Sequence, residues 1–244
     1  MTERKTFSIV MPCYNESEGI SEFLNEIVMA MGTLCGEIYV IDDNSSDSTS
    51  RIVKDYSSIH RNIHLIQNTK NLGHGPSTIF GLRHLVDRGH PYIISIDGDG
   101  QFFGDDIART ASQFGMHFED IMECSRLNRG DPVFRRIATL ATKVIVFVKT
   151  FKQPSDANTP FRIYKLEVLS ELLKRVPENS PVPNLEFSIL ARKLGYKIVE
   201  EKVRSRSRRA DSIVGSTWQS KQNIIPSRRF VMFCMRALKR MALM

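Results

Sequence analysis

Two aspartates with a single glycine between them, Asp97 and Asp99, follow the apolar run in YIISIDGDGQF, residues 92–102. On an extended chain the side chains of residues i and i+2 point the same way, so both carboxylates would lie on one side of a strand end. Such a pair suits a hard divalent cation, Mg²⁺ or Mn²⁺, which in turn can carry a diphosphate. Gly98 and Gly100 would let a ligand approach the backbone closely. The alternative is an ordinary Asp-Gly turn.

A second acidic strand end lies in VIDDNSSDST, residues 40–49. Asp42 and Asp43 are candidates to accept hydrogen bonds from the ribose hydroxyls or the base of a nucleotide. The alternative is that this segment only caps the helix that starts near residue 46, a role that serine and aspartate side chains perform well. The segment MPCYNESEG, residues 11–19, combines a strand end with a polar loop and would fit around a nucleoside.

Three other kinds of ligand site are excluded by their spacing. A calcium loop of the EF-hand type that starts at Asp97 requires Gly at its sixth position and Glu at its twelfth, where this sequence has Phe102 and Ala108. The segment NLGHGPST ends in Thr78, where the dinucleotide-binding pattern G-x-G-x-x-G requires glycine. No G-x-x-x-x-G-K-[ST] segment occurs. Neither NAD-binding nor P-loop chemistry is therefore supported.

Alternating strand and helix patterns surround these motifs. The predicted strands are 7–12, 37–42, 63–68, 92–97 and 119–125, and the predicted helices are 15–32, 46–58, 75–89 and 105–114. This alternation indicates an α/β fold, a Rossmann-like and mainly parallel sheet with helices on both faces. Ligands of such sheets bind beyond the carboxyl ends of the strands, where the polar loops of this sequence lie.

The second half of the chain is less regular. Helical patterns occur around 165–175 and 184–194, and a strand is predicted at 197–203. A basic loop, 204–221, and an amphipathic helical tail, 224–244, follow.

The charge of the chain is concentrated near its C-terminal end. The 244 residues have a formal net charge of +7, but residues 192–244 contain 14 Lys or Arg and 3 Asp or Glu. Such an asymmetry indicates an anionic partner, which is a membrane surface, a nucleic acid or a phosphate. Four cysteines without a C-x-x-C pair predict a reduced, cytoplasmic protein, and the opening segment does not resemble a secretory signal.

No apolar run is long enough to predict a membrane span. The segment IATLATKVIVFVKTF, residues 137–151, is apolar but contains Lys143 and Lys149. It is either a buried core helix or a helix that lies in the interface of a membrane.

Four motifs in order, MPCYNESEGI, IDDNSSDST, NLGHGPSTIFGL and ISIDGDGQF, resemble those of the family 2 glycosyltransferases of GT-A fold. The resemblance is strongest to the dolichyl- or polyprenyl-phosphate hexose (mannose or glucose) synthases. It implies a single catalytic domain over 1–203, with a nucleotide-sugar half, 1–125, and an acceptor half, 126–203. The basic loop and amphipathic tail would form the remainder, 204–244.

The resemblance also implies roles for individual residues. Those expected at the donor nucleotide are Pro12, Tyr14, Glu16, Asp42, Asp43 and Asp97. Those expected at the metal, Mg²⁺ or Mn²⁺, and the diphosphate are Asp97, Asp99 and Gln101. Those expected to be catalytic are Asp97, Asp99, Arg126 and Arg162.

The implied reaction is inverting transfer of a hexose from a GDP-mannose-type or UDP-glucose-type donor to a polyprenyl phosphate. An anionic acceptor needs no general base but needs cations, and arginine holds phosphates in forked hydrogen bonds. Residues expected at the acceptor phosphate are Arg126, Arg135, Arg162, Arg209 and Ser216, with Arg136 and Arg208 as further candidates. Glu186 is a candidate to orient one of these arginines.

The sequence departs from the family pattern at two places. Pro160 stands where the family has glycine before Phe161 and Arg162. The basic pair that ends at Arg209 precedes Ser216 by several residues more than usual.

A lipid acceptor predicts a cytoplasmic protein that is peripherally associated with an anionic membrane surface. One alternative is a related transferase with a glycan or another non-lipid acceptor. Another is a nucleic-acid-binding protein that uses the basic tail, but this alternative leaves the acidic strand ends unexplained, and no nucleic-acid partner is expected.

Overall fold

A computed structural model describes residues 5–127 and 133–208, together with Met232, Met235 and Arg240; for 133–135, 137 and 138 it describes the backbone alone. The strands of this part are β1 (Phe7–Cys13), β2 (Cys35–Asp42), β3 (Ile63–Gln67), β4 (Tyr92–Ser95), β5 (Ile121–Arg126), β6 (Arg162–Lys165) and β7 (Ile198–Val203). The α-helices are α1 (Ile20–Met31), α2 (Thr49–Ile59), α3 (His74–Asp87), α4 (Gly104–Gln113), α5 (Val133–Thr150), α6 (Leu166–Arg175) and α7 (Pro183–Lys193).

The strands form one sheet in the order β3-β2-β1-β4-β6-β5-β7. Strand β1 pairs in parallel with β2 and β4, β2 with β3, and β5 with β7. Strand β6 is antiparallel to both of its neighbours. The prediction of an α/β fold with a mainly parallel sheet is confirmed. The sequence reading missed β6, because its four residues run directly into α6 and are too few to stand out as a separate strand.

Alternate residues of the central strands pack on opposite faces of the sheet. Ile9 and Met11 of β1 face the cluster that contains Phe23 of α1, whereas Val10 faces the cluster that contains Leu82 of α3 and Leu172 of α6. Because both faces of β1 are covered, the whole strand is buried and reads as a continuous apolar run. The prediction that helices cover both faces of the sheet is therefore confirmed.

Two helices begin later than their sequence patterns predict. Helix α1 starts at Ile20 rather than at residue 15, and α2 starts at Thr49 rather than at 46. The residues before them form loops that bond each other: the Asn15 N–H donates to Ser45 Oγ (3.0 Å), and the Ser46 N–H donates to Asn15 Oδ1 (2.9 Å). Contacts between loops that are distant in sequence thus replace the first helical turns.

Helix α5 covers the apolar segment for which the sequence left a core helix and an interfacial helix open. One face is buried, where Val146 packs with Val182, Leu185 and Ile189, but several apolar side chains elsewhere on the helix are exposed. None of the helices in the described part combines the length and apolarity needed to cross a bilayer. Of the predicted amphipathic tail, 224–244, only the helical positions Met232, Met235 and Arg240 are among the described residues.

Candidate functional site

The loops that follow β1, β2 and β4 are tied together at the carboxyl edge of the sheet. The Asp43 N–H donates to the Cys13 carbonyl (2.9 Å), and the Gly98 N–H donates to the Pro12 carbonyl (3.1 Å). Pro12 is buried, and Tyr14, two residues on, is half-buried. These contacts bring the segment 11–16 beside both acidic strand ends, as expected for a mainly parallel sheet.

The turn between Asp97 and Asp99 is packed too tightly for any residue other than glycine at its centre. A Cβ on Gly98 would lie 2.0 Å from Cys13 Sγ. The turn holds both aspartates half-buried. Asp99 Oδ1 accepts a hydrogen bond from the Gln101 N–H (3.1 Å), and His74 Nε2 lies 3.6 Å from Asp97 Oδ1.

Burial raises the pKa of Asp99 to about 6, and the charge of Asp97 adds to the rise. The Gln101 N–H and the positive charges of Arg208 and Arg126 oppose it without cancelling it. The ionised pair is therefore unfavourable on its own, and a cation that binds there would relieve both the burial penalty and the mutual repulsion.

The ligand set at this turn suits a metal that also binds a phosphate ligand. Within 5–127, 133–208 and the three tail positions, no three His, Cys, Asp or Glu side chains are grouped so as to hold a metal ion by themselves. Mg²⁺ is usually bound in proteins by one or two carboxylates together with substrate phosphates. Asp97 and Asp99 fit that pattern, and they do not fit a metal site built from protein ligands alone.

Arg126, at the end of β5, lies beside the acidic pair. Its Nη1 donates to Gln101 Oε1 (2.9 Å), and its guanidinium carbon lies 5.9 Å from the centre of the Phe102 ring. Its Nε is buried and has no hydrogen-bond partner in the described part of the chain. One guanidinium donor of Arg126 is therefore left unsatisfied beside the acidic pair.

Glu16, in the loop after β1, is paired with Arg208. Arg208 Nε donates to Glu16 Oε2 (3.1 Å), and Nη2 contacts Oε1. Burial raises the pKa of Glu16 to about 7, although the Arg208 hydrogen bond and charge lower it. Arg208 thus enters the predicted nucleoside site itself, which the sequence reading did not foresee.

The chain reaches Glu16 through a basic segment that crosses the loop after β4. Arg206 donates to the carbonyls of Gly100 (2.7 Å) and Phe102 (3.1 Å) and forms an ion pair with Glu26. Arg204 forms an ion pair with Asp106 (3.0 Å). The alternation of arginine at 204, 206 and 208 is the signal that could have identified this segment, because side chains at i and i+2 of an extended chain share one face.

The acidic pair after β2 is saturated by the protein. Asp43 accepts from four donors at 2.7–2.9 Å: Asn68 Nδ2, Ser77 Oγ, and the N–H groups of Leu72 and Gly73. Asp42 has no exposed surface and accepts from Ser45 and from Ser50 Oγ (2.5 Å). In this structure Asp42 presents no atom to a ligand, and its carboxylate shapes the loop instead.

Arg162 is placed away from the open site. It has no exposed surface, and its guanidinium donates to Glu123 Oε1 (2.8 Å) and to the carbonyls of Thr159 and Ala157. Glu123 also pairs with Arg192 (2.8 Å). Burial alone would raise the pKa of Glu123, but these two arginines hold it below its usual range. Arg162 therefore corrects our expectation of a phosphate contact, because all its donors face the interior.

The other residues expected at the acceptor phosphate lie outside the described residues or on α5. Arg209 and Ser216 lie outside the described residues, and Arg135 is described only as a backbone position of α5. Arg136 is exposed on α5. The buried Glu186 accepts from Ser180 Oγ (2.5 Å) and forms a two-pronged ion pair with Arg240 (3.0 Å for each contact).

Comparison with known proteins relates this arrangement to sugar transferases. A model of the family described as Glycosyl transferase family 2 matches residues 8–173, more than half of the chain. The chain is 29% identical over 192 residues to an undecaprenyl-phosphate 4-deoxy-4-formamido-L-arabinose transferase of Salmonella paratyphi B, with 78% of this chain and 57% of that protein covered. The chain thus spans little more than half the length of this relative.

Solved structures of similar fold belong to sugar-transferring enzymes. Mannosyl-3-phosphoglycerate synthase from Rubrobacter xylanophilus aligns with a TM-score of 0.69 at 14% identity, covering 98% of this chain and 73% of that one. Glucosyl-3-phosphoglycerate synthase from Mycobacterium tuberculosis, in complex with Mn²⁺ and UDP-glucose, aligns with a TM-score of 0.62 at 16% identity, covering 85% and 72%. At these identities the likeness shows the fold, which is GT-A.

Proposed function

The chain belongs to glycosyl transferase family 2, and from that premise we propose that it transfers a hexose from a nucleotide-diphosphate sugar to a polyprenyl phosphate. The observation that carries the proposal is the acidic pair Asp97 and Asp99, which lies at the carboxyl edge of the sheet with Arg126 and Arg208 close enough to shift the pKa of Asp99. In such a centre the carboxylates suit the metal ion of a metal diphosphate, and the arginines suit a second phosphate.

The donor nucleotide would occupy the edge formed by the loops after β1 and β2. Pro12, Tyr14 and Glu16 are the proposed nucleoside contacts, and Asp43 acts by holding the loop around Gly73. A donor of the UDP-glucose type is supported by the fold neighbour that was crystallised with Mn²⁺ and UDP-glucose, and a GDP-mannose-type donor is the other candidate.

Mg²⁺ or Mn²⁺ would be held by Asp97 and Asp99, with Gln101 beside them. When bound, the ion neutralises the negative charge that grows on the departing diphosphate. The protein residues fix the pair in place: Gly98 permits the tight turn, and the Gln101 N–H orients Asp99.

The acceptor phosphate would approach from the side of Arg126, whose guanidinium lies beside the acidic pair and retains an unsatisfied donor. A phosphate oxygen forms the new bond to the anomeric carbon while the bond from that carbon to the diphosphate breaks, with inversion. The transition state resembles an oxocarbenium ion. Because the acceptor is already an anion, no residue has to remove a proton. Arg135, Arg209 and Ser216 remain proposed acceptor contacts.

A polyprenyl acceptor resides in a bilayer, so the proposal includes peripheral association with the cytoplasmic face of an anionic membrane. The relative of 29% identity is named for an undecaprenyl-phosphate acceptor, which supports a lipid phosphate over a glycan.

The test is transfer of labelled hexose from UDP-glucose and GDP-mannose to polyprenyl phosphate with Mg²⁺ or Mn²⁺, scored as label extracted into organic solvent. We expect lipid-linked label with one donor, its loss with chelator, and its recovery when metal is restored. Donor hydrolysis without lipid-linked label would favour a non-lipid acceptor. Consumption of no donor, with thermal shifts showing that none binds, would overturn the proposal.

A further inference from the structure

Helix α5 presents a stripe of large apolar side chains to the outside. Five residues form this stripe, spaced three or four apart or adjacent, so that they share one side of a helix. They are Leu140 (60% exposed), Val144 (53%), Phe147 (48%), Val148 (65%) and, directly after the helix, Phe151 (83%). We call them the α5 stripe. A contiguous exposed apolar patch on a protein surface marks an interaction site.

The α5 stripe cannot be buried by turning the helix. The opposite side of α5 is already fixed, since Val146 has no exposed surface and packs with Val182, Leu185 and Ile189. Rotation of the helix would expose Val146 and open the contact with α7. The stripe is therefore a stable feature of the folded chain, and its partner must come from outside this packing.

The charges of the segment that carries the stripe are of one sign. The sequence from 133 to 153 contains five Lys or Arg and no Asp or Glu. Among them, Lys143 and Lys149 lie within the helix and Lys152 just after it. A long basic side chain can lay its methylenes along an apolar surface and extend its charge to a headgroup. An apolar stripe on a segment whose own charges are all cationic is complementary to the surface of an anionic bilayer.

The dimensions of α5 suit a helix that lies along a membrane. Its 18 residues span about 27 Å. Because basic residues interrupt its apolar sequence, the helix suits a position along the membrane surface and not across the bilayer. The helix also follows β5, whose last residue is Arg126, so the stripe and the proposed acceptor arginine belong to consecutive elements of the chain.

We propose that the α5 stripe is the membrane-docking surface of this protein, inserted into the headgroup region of an anionic bilayer with α5 parallel to its plane. The inference deepens the proposed function, on which it rests for the link to a lipid acceptor. The docking itself requires neither donor nor acceptor, so the two can be tested apart.

Two phenylalanines of almost equal exposure provide a matched pair for the test. Phe151 (83% exposed) and Phe118 (82% exposed) each follow a helix, and each has a positive φ, 54° and 56°. Only Phe151 belongs to the stripe. Comparison of Phe151→Glu with Phe118→Glu therefore separates the effect of the position on the stripe from the effect of replacing an exposed phenylalanine by glutamate.

The measurement is cosedimentation of the full chain with vesicles of phosphatidylglycerol and phosphatidylcholine, without polyprenyl phosphate or nucleotide. We expect binding to these vesicles, weaker binding to pure phosphatidylcholine, and a loss of at least about tenfold for Phe151→Glu, since the variant no longer buries an apolar ring in the bilayer. Val148→Glu should also weaken vesicle binding, whereas Phe118→Glu should bind the vesicles as tightly as the wild type does. Thermal unfolding checks that each variant is folded.

Equal binding by Phe151→Glu, Val148→Glu and the wild type would overturn the proposal. So would a wild-type dimer in solution that Phe151→Glu dissociates, because the stripe would then be covered by a second copy of the chain. Turnover of a short-chain, water-soluble prenyl phosphate separates this inference from the proposed function. Phe151→Glu should retain that turnover, and a wild type that binds vesicles but transfers no sugar would contradict the proposed function alone.

Discussion

The two acidic strand ends of this protein contain the same residue type and have opposite surroundings. After β2, Asp42 and Asp43 are buried and accept hydrogen bonds from their own loop, from the loop after β3 and from Ser77 in the first turn of α3. After β4, Asp97 and Asp99 are half-buried. Among the described residues, the Gln101 N–H is the one protein donor within hydrogen-bonding distance of this pair.

The difference separates carboxylates that build a loop from carboxylates that await a ligand. A buried charge is tolerated when donors surround it, which is the situation of Asp43. Asp99 lacks such a shell, and burial together with Asp97 raises its pKa to about 6. Perturbed pKa values of this kind concentrate at functional sites. Four variants test this distinction.

The largest expected effect is on catalysis by Asp99→Asn. We expect donor turnover to fall by about 10³-fold, equivalent to about 4 kcal/mol, because the pair would lose one of the two charges proposed to hold the metal diphosphate. The free energy of unfolding at pH 7.5 should stay the same or rise, since the substitution removes repulsion from Asp97. Asp105→Asn, an exposed acid nearby, is the control and should keep its activity. Wild-type turnover by Asp99→Asn would refute the assignment.

The next effect is on stability. Asp43→Ala should lower the free energy of unfolding by about 3 kcal/mol, because Asn68, Ser77 and the N–H groups of the loop lose their common acceptor. Urea denaturation measures this. If the variant lost activity but kept wild-type stability, Asp43 would belong with the ligand-binding carboxylates, and the contrast between the two strand ends would disappear.

Glu16 lies between these two cases, because it is buried and, among the residues that the structure describes, forms an ion pair with Arg208 alone. Its pKa is about 7 in the folded chain against an ordinary value of 4.5. The folded state therefore holds an extra proton between these values, and the free energy of unfolding should fall as pH rises from about 4.5 to about 7 and then level.

Glu16→Gln should remove this slope. The difference in unfolding free energy between wild type and variant should change by up to about 3 kcal/mol between pH 4.5 and pH 8. Asp99 contributes a slope of the same sign but is present in both proteins, so it cancels. A difference that does not vary with pH would mean that folding does not raise the pKa of Glu16.

The smallest effect is expected from Ser50→Ala. Ser50 Oγ donates to Asp42 Oδ2 and accepts from Gln67 Nε2 (3.2 Å). Its loss should cost about 1 kcal/mol of stability and leave the KM for the donor unchanged, because Asp42 has no exposed atom. A raised KM with unchanged stability would show that this strand end also contacts the nucleotide.

The sequence alone determined the features that depend on short-range pattern. Short apolar runs that alternate with segments of helical apolar spacing predicted the α/β fold and the carboxyl edge of the sheet as the site. The spacing of Asp97 and Asp99 predicted a paired carboxylate, and four ordered motifs indicated the family. These signals lie within a few residues of one another, so no tertiary contact is needed to see them.

Only the tertiary structure decided which charges are open and which are satisfied. Arg208 pairs with Glu16 across 192 positions of sequence, and Arg162 is buried by Glu123, which is 39 positions away. The outward direction of the α5 stripe likewise follows from its packing on α7. A residue's type fixes the bonds that it can make, but the partners come from distant segments that meet only when the sheet is assembled.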